Sequence, residues 1–418
     1  MSGPATKSLR VMFVLTSMPV GGAETLLANL VRRLDRRQFQ PEICCLKTPG
    51  PLGEELACEL PVHAGLLAHK WDLRVFHRLC RLYRSRHIDA VVTVGAGDKM
   101  FWGRLAAGWC GIPVVCSAIH STGWPDSIGF LNRHLSWLTD AYIAVAAPHA
   151  RYLVAREGFP PRKVRLIPNG VDTDRFHPRP NSRLAIRQEL GIPAEGTVIG
   201  VVAALRPEKN LPLFLRAAAT TRLSSPGTHF VIVGDGPERP ALEQLAASLG
   251  IGEQVQFTGA RTDIPAVLTA MDVFSLTSHM EASPVSILEA LACEVPVVAP
   301  LVGSIGESVR NGETGFVFPA GDESELVSHW ARLLGDAELR QRLGAAGRRH
   351  VLEHGSLAAM VDGYERLIAS IYDQKRGTGR ATPPRPSASP PADLGATAGS
   401  RDEPESLIIA ATAGFRAG

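Results

Sequence analysis

The chain has 418 residues, with 45% apolar and 20% charged side chains and a net charge of +3. That length exceeds one ordinary core, so two domains are expected, and the composition suits a soluble globular protein. Seven cysteines without a C-x-x-C pair suggest neither a disulfide frame nor a zinc site, and a reducing cytoplasm fits them.

Residues 1–10 lack an apolar signal region, and the run Val11–Leu15 is too short to span a membrane. A cytoplasmic location is therefore expected. Residues 1–180 carry 23 Lys and Arg against 14 Asp and Glu, while the remainder carries 21 against 27. The basic first half suggests an anionic partner, such as lipid headgroups or a phosphorylated acceptor, and keeps peripheral contact with the inner membrane face open. Solvated surface charge explains the asymmetry about as well. No nucleic acid is expected.

Short apolar runs alternate with helical patterns. Val11–Leu15, Pro41–Leu46, Ala90–Val94, Val114–Ala118 and Ala141–Val145 read as buried parallel strands. Glu24–Leu34, Asp72–Arg86 and Ile128–Leu138 read as helices between them. The second half restarts the pattern with Val198–Ala203, Phe230–Val233, Val255–Thr258, Val273–Leu276, Pro296–Ala299 and Phe316–Phe318. Two doubly wound α/β lobes with a cleft between them are predicted, residues 1–180 and 181–356. A final helix over 357–375 should return to the first lobe. Residues 376–418, rich in Pro, Ser, Ala and Gly, read as a disordered tail.

Glu281-Ala-Ser-Pro-Val-Ser-Ile-Leu-Glu289 follows a strand and opens a helix. Ser283 is the expected N-cap and Pro284 the expected first helical residue. Amides from Val285 onward then offer a phosphate site, with Glu289 positioned for ribose hydroxyls and Glu281 on the mouth side, by a transferred sugar. Either glutamate alone is more often an ordinary surface residue; the two at this junction are not.

Glu281-x7-Glu289, followed by Pro296-Val-Val-Ala, Gly303-x3-Glu307 and Gly312-Glu-Thr-Gly315, resembles the signature of the retaining glycosyltransferases of family four. The resemblance extends to about Tyr372 and implies the GT-B architecture, with a nucleotide-sugar donor on the second lobe and an acceptor on the first. It assigns Arg206 and Lys209 of Arg206-Pro-Glu-Lys-Asn to the donor pyrophosphate, where paired cations can offset developing charge. Gly21 and Gly22 would line the cleft beside the phosphates, Gly234 the nucleotide, and Arg261, in Thr258–Asp263, the nucleobase loop. His120, after a strand, would lie near the donor sugar. Glu281, His120, Arg206 and Lys209 are thus the candidate catalytic residues.

Two departures stand out: Ala146 where relatives often carry serine, and Gly306 where they often carry proline. The resemblance implies a hexosyltransferase of polysaccharide biosynthesis type, using a UDP- or GDP-sugar and a glycan, lipid-linked or small-molecule hydroxyl acceptor. No obvious covalent nucleophile is present, so front-face departure assisted by the diphosphate is the preferred mechanism. The Asp172-Thr-Asp174 triplet lies in the interlobe segment, so no divalent ion and no cofactor are expected. A nucleotide-sugar epimerase, a phosphorylase-like enzyme and a non-catalytic binding subunit remain as alternatives.

Helix Asp72–Arg86 places Arg74, Arg78 and Arg81 opposite Val75, Phe76, Leu79 and Leu82. A membrane-facing stripe is one reading; the solvated face of a sheet-packing helix is the more ordinary one.

Overall fold

The computed structural model describes residues 7–69, 72–95, 97–120 and 129–377. Of the predicted tail 376–418, residues 378–418 lie outside them, as do residues 121–128.

The first lobe is a seven-stranded parallel sheet in the order β3-β2-β1-β4-β5-β6-β7. Its strands are β1 (Leu9–Leu15), β2 (Phe39–Cys45), β3 (Val62–His63), β4 (Ala90–Val94), β5 (Val114–Ala118), β6 (Ala141–Ala144) and β7 (Val164–Leu166). Strands β1, β4, β5 and β6 are buried along almost their whole length, as expected of a sheet covered by helices on both faces. The second lobe repeats the plan with six parallel strands in the order β10-β9-β8-β11-β12-β13. These are β8 (Thr197–Val202), β9 (Thr228–Val233), β10 (Val255–Gly259), β11 (Val273–Ser275), β12 (Val297–Pro300) and β13 (Gly315–Phe318). Each order reverses direction once, which opens a crevice at the carboxyl ends of the strands.

All eleven predicted strands are present, and β3 and β7 are additional. The expected helix Ile128–Leu138 divides into Gly129–His134 and a 3-10 turn, Leu135–Leu138.

The last helix, Leu357–Arg376, begins at Ser356, whose hydroxyl accepts from the Ala359 amide, and ends at Gly377 in the left-handed region. Met360, Val361, Tyr364 and Ile368 pack with Phe13, Leu27, Val92 and Ile143 of the first lobe. The chain therefore crosses between lobes twice, and the two crossings pair. The Val171 amide donates to Gly355 at 2.8 Å, and the Leu357 amide donates to Val171 at 2.9 Å.

On helix Arg74–Ser85, Val75, Leu79, Cys80 and Tyr83 are buried. Arg78 is tied to Asp72 at 2.6 Å and to the Leu66 carbonyl at 2.8 Å, so this cation braces the lobe.

Candidate functional site

Two strand ends of the second lobe are stitched together to make the site. The turn after β8 carries Arg206 to Asn210, and the loop after β11 carries Thr277 to Ser283. The Thr277 hydroxyl donates to the carbonyls of Lys209 and Asn210 at 3.1 and 3.0 Å, and the His279 amide donates to Glu208 at 2.9 Å. Asn210 supplies the left-handed corner of the first turn at φ 48°.

At the centre of this seam Lys209 Nζ lies 2.6 Å from Glu281 Oε1, and Ser278 Oγ donates to the same oxygen at 2.8 Å. Glu281 is 9% exposed and the Lys209 side chain 22%. A carboxylate this covered needs a cation and a donor, and it has both. Glu281 Oε2 has no hydrogen bond within the described residues, and two of the three Lys209 protons remain available. The pair can thus face a polar ligand with one acceptor and one cation in fixed geometry. Arg206 is exposed beside it, without an ion pair among the described residues.

Gly303 fixes the height of Glu281. At φ 56° it packs against the Glu281 carbonyl, which would lie 1.6 Å from any Cβ placed there. The Ser304 hydroxyl bonds the Ala282 carbonyl on the same side.

The helix expected to start at Pro284 instead starts one residue later, Val285–Ala292. Pro284 is its cap, extended at ψ 115°, with no side-chain cap bond, so Ser283 is not the N-cap. The physical reason lies across the cleft. Asn169 Nδ2 donates to the Ser283 carbonyl at 3.0 Å and holds that residue out of the helix. Val285 and Ser286 are then the first two helical residues, whose amides point outward from the helix end.

Glu289 lies within that helix. Burial pushes its carboxyl up to about 7, with the nearby Arg175 pulling it the other way. Its folded value exceeds the unfolded one, so its contribution to stability is full below about pH 4.5 and disappears as pH rises through about 7. Wild-type thermal stability should fall more between pH 5 and 7.5 than that of Glu289→Gln. Parallel melting curves for the two proteins would contradict this.

The remaining predicted positions are dispersed. Arg261 is held by Asp263 at 2.6 Å and Glu189 at 2.5 Å, which drive its pKa further upward, so its guanidinium is already committed. Gly234, at φ 134°, passes against the Ala203 carbonyl and donates its amide to the Gly259 carbonyl at 2.9 Å, bringing the turns after β8, β9 and β10 together. Gly21 caps helix Gly22–Arg33, and a Cβ on Gly21 would meet the Glu24 carboxylate at 2.6 Å. His120, at the end of β5, lines a small apolar cavity with Phe13, Val94, Met360 and Tyr364. Sequence reasoning missed the parts that Ser278 and Arg175 play here.

Two doubly wound α/β lobes, with the seam of strand ends on the second facing the first, define a GT-B protein, and the comparisons agree. The chain superposes on the Anabaena protein HepE in complex with UDP and glucose with a TM-score of 0.78, at 21% identity, over 87% of this chain and 100% of that one. WaaG, a glycosyltransferase involved in lipopolysaccharide biosynthesis, gives a TM-score of 0.67 at 17% identity, over 88% and 100%. Residues 20–175 match the model "Glycosyltransferase Family 4", and residues 182–350 match "Glycosyl transferases group 1". The chain belongs to the family 4, or group 1, glycosyltransferases. Among curated relatives, a GDP-mannose-dependent alpha-(1-6)-phosphatidylinositol monomannoside mannosyltransferase of Mycolicibacterium smegmatis is 31% identical, over 59% of this chain and 63% of that one. A D-inositol 3-phosphate glycosyltransferase of Salinispora arenicola is 32% identical, over 56% of each. The aligned region thus spans less than two thirds of either relative.

Proposed function

We propose that the protein is a retaining glycosyltransferase that moves a sugar from a UDP- or GDP-sugar to a hydroxyl of an acceptor bound on the first lobe. The Lys209–Glu281 pair, set beside Arg206 and the first amides of helix Val285–Ala292, carries this reading. In it, Arg206, Lys209 and the amides of Val285 and Ser286 take the diphosphate, and Glu289 takes the ribose hydroxyls. Glu281, held by Lys209 and Ser278, presents Oε2 to the transferred sugar.

As the sugar–phosphate bond breaks, the leaving oxygen gains charge. Two cations and the helix amides placed there favour that state over the ground state. The departing diphosphate then accepts the proton of the attacking hydroxyl on the same face of the sugar. Charge on the leaving group is met by Arg206 and Lys209, so the reading calls for no divalent ion.

For the acceptor we favour a phosphorylated polyol or a lipid-linked glycan. The names of the curated relatives and the basic first lobe support this. A lipid-linked acceptor would bring the first lobe to a membrane surface. Trp109 and Trp137 on that lobe are 71% and 77% exposed, as suits side chains seated among headgroups. None of the described helices is long and apolar enough to cross a membrane.

Thermal melting with UDP, GDP, ADP and their sugars tests the donor reading. A ligand at about 100 times its Kd stabilises by roughly 2.7 kcal/mol, so one nucleotide series should raise Tm by a few degrees. No shift with any of them would sink the reading.

A further inference from the structure

A second cavity, of about 260 Å³, lies between the lobes beside the paired crossings. The first lobe contributes the ends of β6 and β7, including Ala146 and Asn169, and the second contributes Ser304, Ser308, Arg310, His350 and His354. None of Arg206, Lys209, Glu281 or Glu289 lines it.

Its chemistry is specific. Arg310 gives a guanidinium, and the rings of His350 and His354 lie 5.0 Å apart. Ser308 and the second Nδ2 proton of Asn169 complete the wall, where Ser304 already donates to the Ala282 carbonyl and Asn169 to that of Ser283. The carboxylate on this wall, Glu307, is turned across the interface, where its Oε2 accepts from the Ala147 amide at 3.2 Å. His350 Nε2 donates to the Glu307 carbonyl at 3.1 Å, and its Nδ1 is buried without a partner. Burial, then the charges of Arg310 and His354, lower the His350 pKa. These groups are placed for a compact oxyanion. The surrounding interlobe bonds, Ala147 to Glu307 and Asn169 to Ser283, mean that a ligand here touches both lobes.

We propose that this cavity binds a phosphate group, as the free ion or as a phosphate monoester, and that the bound phosphate holds the two lobes in one relative setting. Arg310 supplies a two-pronged contact, and the rings of His350 and His354 stand beside it on the same wall. The other charged groups at this wall are Glu307, Glu353 beside His354, and Glu313 beside Arg310.

The test is titration of the full chain with inorganic phosphate and with glycerol 3-phosphate, each in the presence of saturating UDP so that any diphosphate site is filled. Lys209→Ala without UDP is the parallel arm, which keeps failure of the donor reading separate from failure of this one. Binding should persist in both arms and weaken at least tenfold in the Arg310→Ala/His354→Ala variant, whose changes lie at the exposed rim. Equal affinity for both ligands identifies the free ion as sufficient; tenfold tighter ester binding identifies a phosphorylated polyol. No binding of either, or undiminished binding by the double variant, overturns the proposal.

Discussion

Lys209→Ala should lower kcat/KM for sugar transfer by about 10²–10³-fold, the range seen when one charge-stabilising donor is taken from a reacting centre. The loss has two parts. A cation disappears from the place where the leaving diphosphate gains charge, and Glu281 is left in a covered position with only Ser278 on Oε1. Removing one partner from so covered a pair costs up to about 3 kcal/mol. The same variant should therefore melt several degrees lower, and adding Glu281→Gln should restore much of the stability without restoring transfer. Rates and melting curves of the single and double variants check this. Additive losses in stability would show that the two side chains do not act as a pair.

Gly303→Ala should be the most damaging small change near the site. The backbone there is left-handed at φ 56°, and the new methyl would fall 1.6 Å from the Glu281 carbonyl. Strain of this kind costs about 1–3 kcal/mol, and overpacking adds a similar amount. The loop must yield, and the segment that yields carries Glu281. We expect a clear fall in Tm with at least tenfold slower transfer, read from melting curves and initial rates. A variant that melts within a degree of wild type and keeps its rate would show that Gly303 does not fix Glu281.

How much of this was legible in the sequence depends on how local each signal is. Strands such as Ala90–Val94 and Thr197–Val202 are nearly continuous apolar runs, so they announce themselves. Strand β7 does not, because Val164-Arg165-Leu166 is short, sits at the sheet edge and has two exposed residues. The segment proposed to hold the donor is legible through Glu281 and Glu289, which sit eight residues apart on one loop and helix. Its cap was misplaced because what holds Ser283 is Asn169, 114 residues away. Arg261 illustrates the same limit: Asp263 is visible two residues on, but Glu189 reaches it from 72 residues back. Lys209 and Glu281 are also 72 residues apart. No spacing rule joins them; the parallel sheet does, by placing the ends of β8 and β11 side by side.

The pairing is therefore the part of the site that belongs to the fold, and it makes the donor reading testable without knowing the acceptor. The most direct measurement is the affinity of UDP and GDP for wild type and for the Arg206→Ala/Lys209→Ala double variant, by calorimetric titration. The account predicts binding of one nucleotide by the wild type and at least a hundredfold loss in the variant. Equal affinity in the two proteins would contradict the placement of the diphosphate at this seam.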